Sequence, residues 1–268
     1  MPLCFIMHSD VVIDHSFSIS DSTPVISVEG LVAGYGDDII LENVSFEVRQ
    51  GEIFIILGGS GCGKSTLLKY MIGLYRTSRG RVVIDGVDIM TVDDETLKKI
   101  RTSFGVLFQS GALIGSMTLA ENVSLPLSEL KELSPGFVQL LVKMKLGMVN
   151  LAGYDHHYPA ELSGGMKKRA GLARAMIMDP TILFFDEPSA GLDPVTSAEL
   201  YDMIKSINEN MGTTMVIVTH DLDLIFNIAH RVIMLDKEEK GIIAEGDPRE
   251  LQKNSSDVRV HNFFNRKC

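Results

Sequence analysis

The chain has 268 residues, a formal net charge of −10 and a pI of about 5.2. That balance argues against a nucleic-acid binder, which needs a basic face. Its longest unbroken apolar runs, Leu3–Met7 and Ile53–Leu57, are five residues each, against the roughly 20 that a membrane-spanning helix requires. Cys4, Cys62 and Cys268 have neither metal-ligand spacing nor a disulfide pattern, which suits a reducing cytoplasm. The first 20 residues lack a basic start followed by a long apolar core, so no secretory leader is expected. The length suits one domain with an insertion.

Residues 1–24 read as an N-terminal tail. Two strand-like stretches, Val25–Val28 and Ile39–Val48, then flank Tyr35, a tyrosine framed by Gly34 and Gly36. Ile53–Leu57 reads as a buried parallel strand. It runs into Gly58-Gly59-Ser60-Gly61-Cys62-Gly63-Lys64-Ser65-Thr66, which fits G-x-x-x-x-G-K-[ST] without mismatch. Glycines let successive backbone N–H groups converge on phosphate oxygens, and the helix that follows adds its positive end. Lys64 is placed to reach the β- and γ-phosphates, and the Ser65 hydroxyl to ligate Mg²⁺. Cys62 is either a redox switch or a small residue tolerated in the loop.

A strand at Phe104–Leu107 ends in Phe108-Gln109-Ser110. The stretch from about 110 to 162 is helical in pattern and reads as an inserted subdomain. Within it Leu113, Ile114, Met117 and Leu119 either pack that subdomain or face a partner. Leu162-Ser163-Gly164-Gly165-Met166 opens a helix whose apolar stripe is Met166, Ala170, Ala173 and Ile177. Its N-terminus makes a second anion site. The basic run Lys167-Lys168-Arg169 either holds negative charge or forms a solvated face.

Ile182–Phe185 ends in Asp186-Glu187-Pro188. Asp186 leaves the strand end beside the phosphate loop, where it can hold Mg²⁺. Glu187 points elsewhere and is positioned to activate an attacking water. Ser189-Ala190-Gly191-Leu192-Asp193-Pro194 follows, and a further buried strand, Met215–Val218, ends in Thr219-His220-Asp221. Strands alternating with helices predict an α/β fold, a mainly parallel sheet with an antiparallel edge region near the N-terminus.

Taken in order, Lys64, Gln109, Ser163, Asp186 and His220 carry a resemblance to the ATP-binding cassette (ABC) family of transport ATPases, covering roughly residues 25–246. The resemblance implies a P-loop ATPase using ATP and Mg²⁺, with the helical insertion between Gln109 and the family signature at Leu162–Met166. It implies that Tyr35 stacks on adenine, against the plainer reading of a turn tyrosine, and that Gln109 joins Mg²⁺ and water. His220, 33 residues after Glu187 (220 − 187), resembles the family's γ-phosphate-sensing histidine. Lys64, Glu187 and His220 are then the catalytic set. Ser163, Gly164 and Gly165 would cradle the ATP held by a second copy of the chain, with Ser189 and Asp193 in the contact between copies. Met166 departs from the family's usual glutamine, removing an amide near the ribose.

Gly105–Leu113, Leu162–Arg169, Asp257–Val260 and Phe263-Phe264 resemble one branch, the ATPases of MCE-associated (Mla-type) lipid transporters. That implies two copies of this chain on the cytoplasmic side of an inner membrane, an integral-membrane permease, an MCE-domain lipid carrier and a small STAS-domain protein. The cargo would be phospholipid moved between inner and outer membranes; the alternative is another solute. Residues 247–268 form a C-terminal extension with a helical start at Arg249-Glu250-Leu251, a polar break, and then Val258, Val260, Phe263 and Phe264. That much apolar surface must be covered, either by a partner or by the chain's own domain.

Overall fold

A computed structural model describes residues 24–129 and 133–266. Residues 1–23 of the expected tail, with Cys4, and also Cys268 lie outside the described residues. The chain opens with two long strands, β1 (Pro24–Tyr35) and β2 (Asp38–Arg49), paired antiparallel across a tight turn. The first starts at Pro24. These strands alternate buried and open positions, the period-2 signature of a sheet covered on one face.

The next strand, β3 (Ile53–Gly58), is buried at every position. Ile53, Ile55 and Leu57 enter one core, whereas Phe54 and Ile56 enter another, so this strand is covered on both faces. Then follow α1 (Lys64–Met71), β4 (Arg81–Ile84), β5 (Val87–Asp88), α2 (Asp94–Ile100) and β6 (Phe104–Leu107). The insertion contributes α3 (Leu119–Ser124) and α4 (Pro135–Met148), and the signature opens α5 (Gly164–Ala175). The remainder is β7 (Ile182–Asp186), α6 (Pro194–Met211), β8 (Thr214–Val218), α7 (Leu222–Ile228), β9 (Arg231–Asp236), β10 (Gly241–Gly246), α8 (Pro248–Asn254) and α9 (Val258–Phe264).

Two sheets result. One is antiparallel with order β2-β1-β4-β5; the other has order β10-β9-β3-β8-β7-β6. All pairs in the larger sheet are parallel except β9 with β10. The loops carrying Gly58–Gly63, Gln109, Glu187 and His220 therefore leave the carboxyl ends of four parallel strands, where open α/β sheets place their ligands.

The insertion is pinned by Asn122, which is fully buried. Its Oδ1 accepts from the Ile114 N–H at 2.7 Å, while its Nδ2 donates to the carbonyls of Ile114, Met117 and Thr118. Leu119 is buried and Leu113 packs on the same core. Ile114 remains 38% exposed, so of the four apolar residues in that segment it is the one most open to a partner. Among the described residues no helix is long and apolar enough to cross a membrane.

The C-terminal extension folds back on its own domain. Val260 and Phe264 of α9 are buried in the core that also holds α5 and α7, each contributing about 1.5–3 kcal/mol. Phe264 meets the Phe226 ring at 5.8 Å, and Arg266 reaches Asp223 at 3.1 Å. Of the two alternatives left open for Val260 and Phe264, the structure shows the second: α7 supplies the apolar neighbour within the same chain. Val258, 69% exposed, stays outside.

Candidate active site

Lys64 sits at the start of α1, 9% exposed, and its Nζ donates to the carbonyls of Gly58 (2.9 Å) and Gly59 (3.0 Å). The loop closes this tightly because two positions cannot carry a side chain. Gly58 has φ 148°, and a Cβ there would fall 2.4 Å from the Leu235 carbonyl oxygen. Gly63 has φ 101°, and its Cβ would press on Ile40 and Leu41 at 2.9 Å.

The loop floors a cavity of about 720 Å³ lined by Gly58–Gly61, Gly63–Thr66, Gln109, Glu187 and His220, a size suited to a nucleotide. Ile40 and Phe263 also line it; the sequence marked neither as a cavity residue. Phe263 had a signal, an apolar residue in a tail too apolar to stay open, but its destination is set by α9 packing. Tyr35 stands beside the cavity, with its hydroxyl 3.2 Å from Thr66 Oγ1 and its ring edge-on to Tyr75. Cys62 is 1% exposed and burial pushes its thiol pKa up, which disfavours a thiolate and with it the redox-switch alternative.

Ser65 Oγ donates to Asp186 Oδ1 at 2.9 Å, joining the P-loop helix to the end of β7. Burial raises the Asp186 pKa, partly offset by that hydrogen bond. Among the described residues no group of three or more His, Cys, Asp or Glu could hold a metal. A hydroxyl and one carboxylate fit Mg²⁺, which takes few protein ligands and completes its shell with phosphate oxygens and water. Ser65 and Asp186 are the residues that would hold it, where it would neutralise phosphate charge.

Glu187 turns away from Asp186 because its backbone is left-handed, φ 47°, an uncommon conformation for a residue with a Cβ. Its Oε1 lies 2.8 Å from His220 Nδ1 and its Oε2 3.4 Å from Thr219 Oγ1. The Glu187 side chain is 14% exposed and that of His220 is 67% exposed. The carboxylate is thus held while the imidazole remains open to a ligand.

Ser163 caps α5 by accepting from the Met166 N–H. Ser163, Gly164 and Gly165 do not line the cavity that holds Lys64; one chain does not bring the two expected anion sites together. All four residues of the expected stripe join one core, Ala170, Ala173 and Ile177 buried and Met166 packed against them, although Ile177 lies just beyond the end of α5. Within the basic run, Lys168 is 5% exposed and donates to the carbonyls of Pro188 and Ala190, so a solvated face does not describe it. A signal for this was present: Gly165 and Leu172, three before and four after, share its helix face and are buried. Ser189 turns its hydroxyl inward to Asp221 Oδ2 at 2.9 Å, and Asp193 caps α6 through the N–H groups of Val195 and Thr196.

A phosphate loop, a hydroxyl–carboxylate pair at the adjoining strand end and a carboxylate–imidazole pair over one cavity define a P-loop nucleotide-binding protein. The chain belongs to the ABC transporter family, whose model, described as "ABC transporter", matches residues 41–190, and it carries that family's ATPase cassette. It is 43% identical over 240 residues to a Mycobacterium tuberculosis protein described as "Probable ribonucleotide transport ATP-binding protein mkl", covering 90% of this chain. The chain spans 66% of that relative's length, just under two thirds. It is 38% identical over 240 residues, 90% of either chain, to "Intermembrane phospholipid transport system ATP-binding protein MlaF" of Haemophilus influenzae. A Brucella abortus "Methionine import ATP-binding protein MetN" is 37% identical over 85% of this chain and 60% of its own length. A solved dimeric ATP-binding cassette in a post-hydrolysis state with ADP and Pi matches with TM-score 0.74 and 33% identity, over 83% of this chain and 98% of that one.

Proposed function

We propose that this chain binds and hydrolyses Mg²⁺–ATP as the paired motor subunit of a membrane transporter. The observation that carries this is the Glu187–His220 pair, 2.8 Å apart, at the rim of the cavity floored by Lys64. Glu187 acts as the base that activates water, and His220 meets the γ-phosphate and reports it. Lys64 draws charge from the β- and γ-phosphates. Gln109 leaves β6 at the cavity edge and links Mg²⁺ and water to the insertion. Because Ser163–Gly165 lie apart from the chain's own P-loop, they serve the ATP of a second copy, with Ser189–Asp193 near the seam. Tyr35 stacks on adenine.

Glu187→Gln tests this directly. Hydrolysis should fall by about 10²–10⁴-fold, the usual worth of a positioned base, while ATP binding persists and ATP-bound dimers accumulate. Turnover near the wild-type rate would remove Glu187 from the chemistry.

For cargo, the proposal is phospholipid moved between two membranes. The support is the lipid-transport relative matched over 90% of either chain, together with the Gly105–Leu113 and Leu162–Arg169 segments. The assembly is then two of these chains beneath an integral-membrane permease, on the cytoplasmic side of an inner membrane, with an MCE-domain carrier and a STAS-domain protein. A methionine-import relative at 37% identity favours a second reading, a small-solute transporter. ATPase turnover of the permease complex in phospholipid vesicles, compared with detergent plus methionine or ribonucleotide, separates the two.

A further inference from the structure

We infer that Lys168 is a positioning residue for hydrolysis, holding the Glu187 turn through three backbone carbonyls. This inference rests on the reading of Glu187 as the base. Lys168 projects from α5, five residues past the cap Ser163, into the loop that follows β7. Its Nζ donates to the carbonyl oxygens of Pro188 and Ala190, both at 2.7 Å, and lies 3.4 Å from that of Glu187. The residue is 5% exposed, and the charge of the Glu187 carboxylate favours its ionised form.

A buried ammonium is costly unless its donors are all used, and burial depresses the Lys168 pKa accordingly. The compensation here is geometric. The loop curls until three carbonyls face one cation, and that curl needs Glu187 in its left-handed conformation, φ 47°. Two further bonds close it: Glu187 N–H to the Val218 carbonyl at 2.8 Å, and Ala190 N–H to the Glu187 carbonyl at 3.2 Å. At its far end the loop reaches Asp193 and α6, which packs on α5 so closely that a Cβ at Gly165 would lie 2.4 Å from Thr196 Cγ2.

The backbone at Glu187 is therefore fixed from α5, and with it the direction in which the carboxylate leaves the chain. Lys168 does not line the cavity; it acts through Glu187. The same helix begins at Ser163, so an α5 displaced at its N-terminus carries Lys168, and the loop, with it.

A double-mutant cycle on the full chain with Mg²⁺–ATP tests this. Lys168→Met keeps the aliphatic stem and removes the donors. Its kcat should fall on the order of tenfold to a hundredfold, as displacement of a reacting group by about 1 Å does, with KM changed less than about twofold. Lys168→Gln, which restores two N–H donors, should recover part of the loss. In a Glu187→Gln background the same Lys168→Met change should cost nothing further in single-turnover hydrolysis, because the group it positions is already gone. If Lys168→Met fails to fold, Lys168→Gln is carried through the same cycle. An unchanged kcat, an equal rise in KM, or a full additive loss in the Glu187→Gln background overturns the inference. Wild-type turnover by Glu187→Gln alone instead defeats the base assignment, a separately readable outcome.

Discussion

Ser65 Oγ and Asp186 Oδ1 are 2.9 Å apart although 121 residues separate them in the chain. The contact follows from strand order: β8 alone lies between β3, which feeds the P-loop, and β7, which ends in Asp186. The buried carboxylate has a raised pKa, chiefly from desolvation. Its ionised form is therefore disfavoured in the folded protein, and the cost is present at every pH above the raised value. It disappears as pH falls to the unfolded value near 3.9. Asp186→Asn should then raise the melting temperature of the nucleotide-free protein at pH 7, with the gain shrinking toward pH 4. The same variant should lose Mg²⁺-dependent nucleotide affinity. A melting temperature lowered equally at both pH values would contradict this account.

Ser163 caps a helix whose first residues do not line the cavity that holds Lys64. Ser163→Arg should leave nucleotide affinity of the monomer within about twofold of wild type and abolish ATP-dependent dimerisation, read by light scattering. Equal loss of monomer binding would place the signature in the chain's own site.

Phe264 is 2% exposed and packed against Phe226. Phe264→Ala should destabilise the monomer by about 3–5 kcal/mol, the range for deleting a buried ring, and removing residues 257–268 should lower its melting temperature as well. Unchanged monomer stability, with dimer assembly alone impaired, would return the helix to a partner-docking role.

Phe263, on the neighbouring position of α9, lines the same cavity as Lys64 and Glu187. Phe263→Ala opens that wall to water and removes an edge-on ring contact with Phe264, leaving Val260 and Phe264 in the core. ATP turnover should fall severalfold, on the order of the tenfold that 1.4 kcal/mol represents, and Phe263→Leu should recover most of it. Val258→Ala, at an exposed position on the same helix, should change nothing; equal effects from both would make the loss a property of the helix rather than of the cavity wall.

What the sequence by itself determined is what short-range chemistry dictates. The glycines of 58–63 are spaced for a phosphate, Lys64 and Ser65 follow at the helix start, and Asp186 and Glu187 end a wholly apolar run. Each depends on neighbours within a few residues, so the pattern is readable along the chain. The tertiary structure decided the rest. Lys168 shares a helix face with Gly165 and Leu172, but what takes up its buried charge, carbonyls 19 to 22 positions downstream, is not written beside it in the chain. Phe263 reaches the cavity because Val260 and Phe264 anchor α9 on a core built from elements earlier in the chain. Those interactions depend on which distant backbone or apolar surface is available, and helical or strand periodicity carries no record of that.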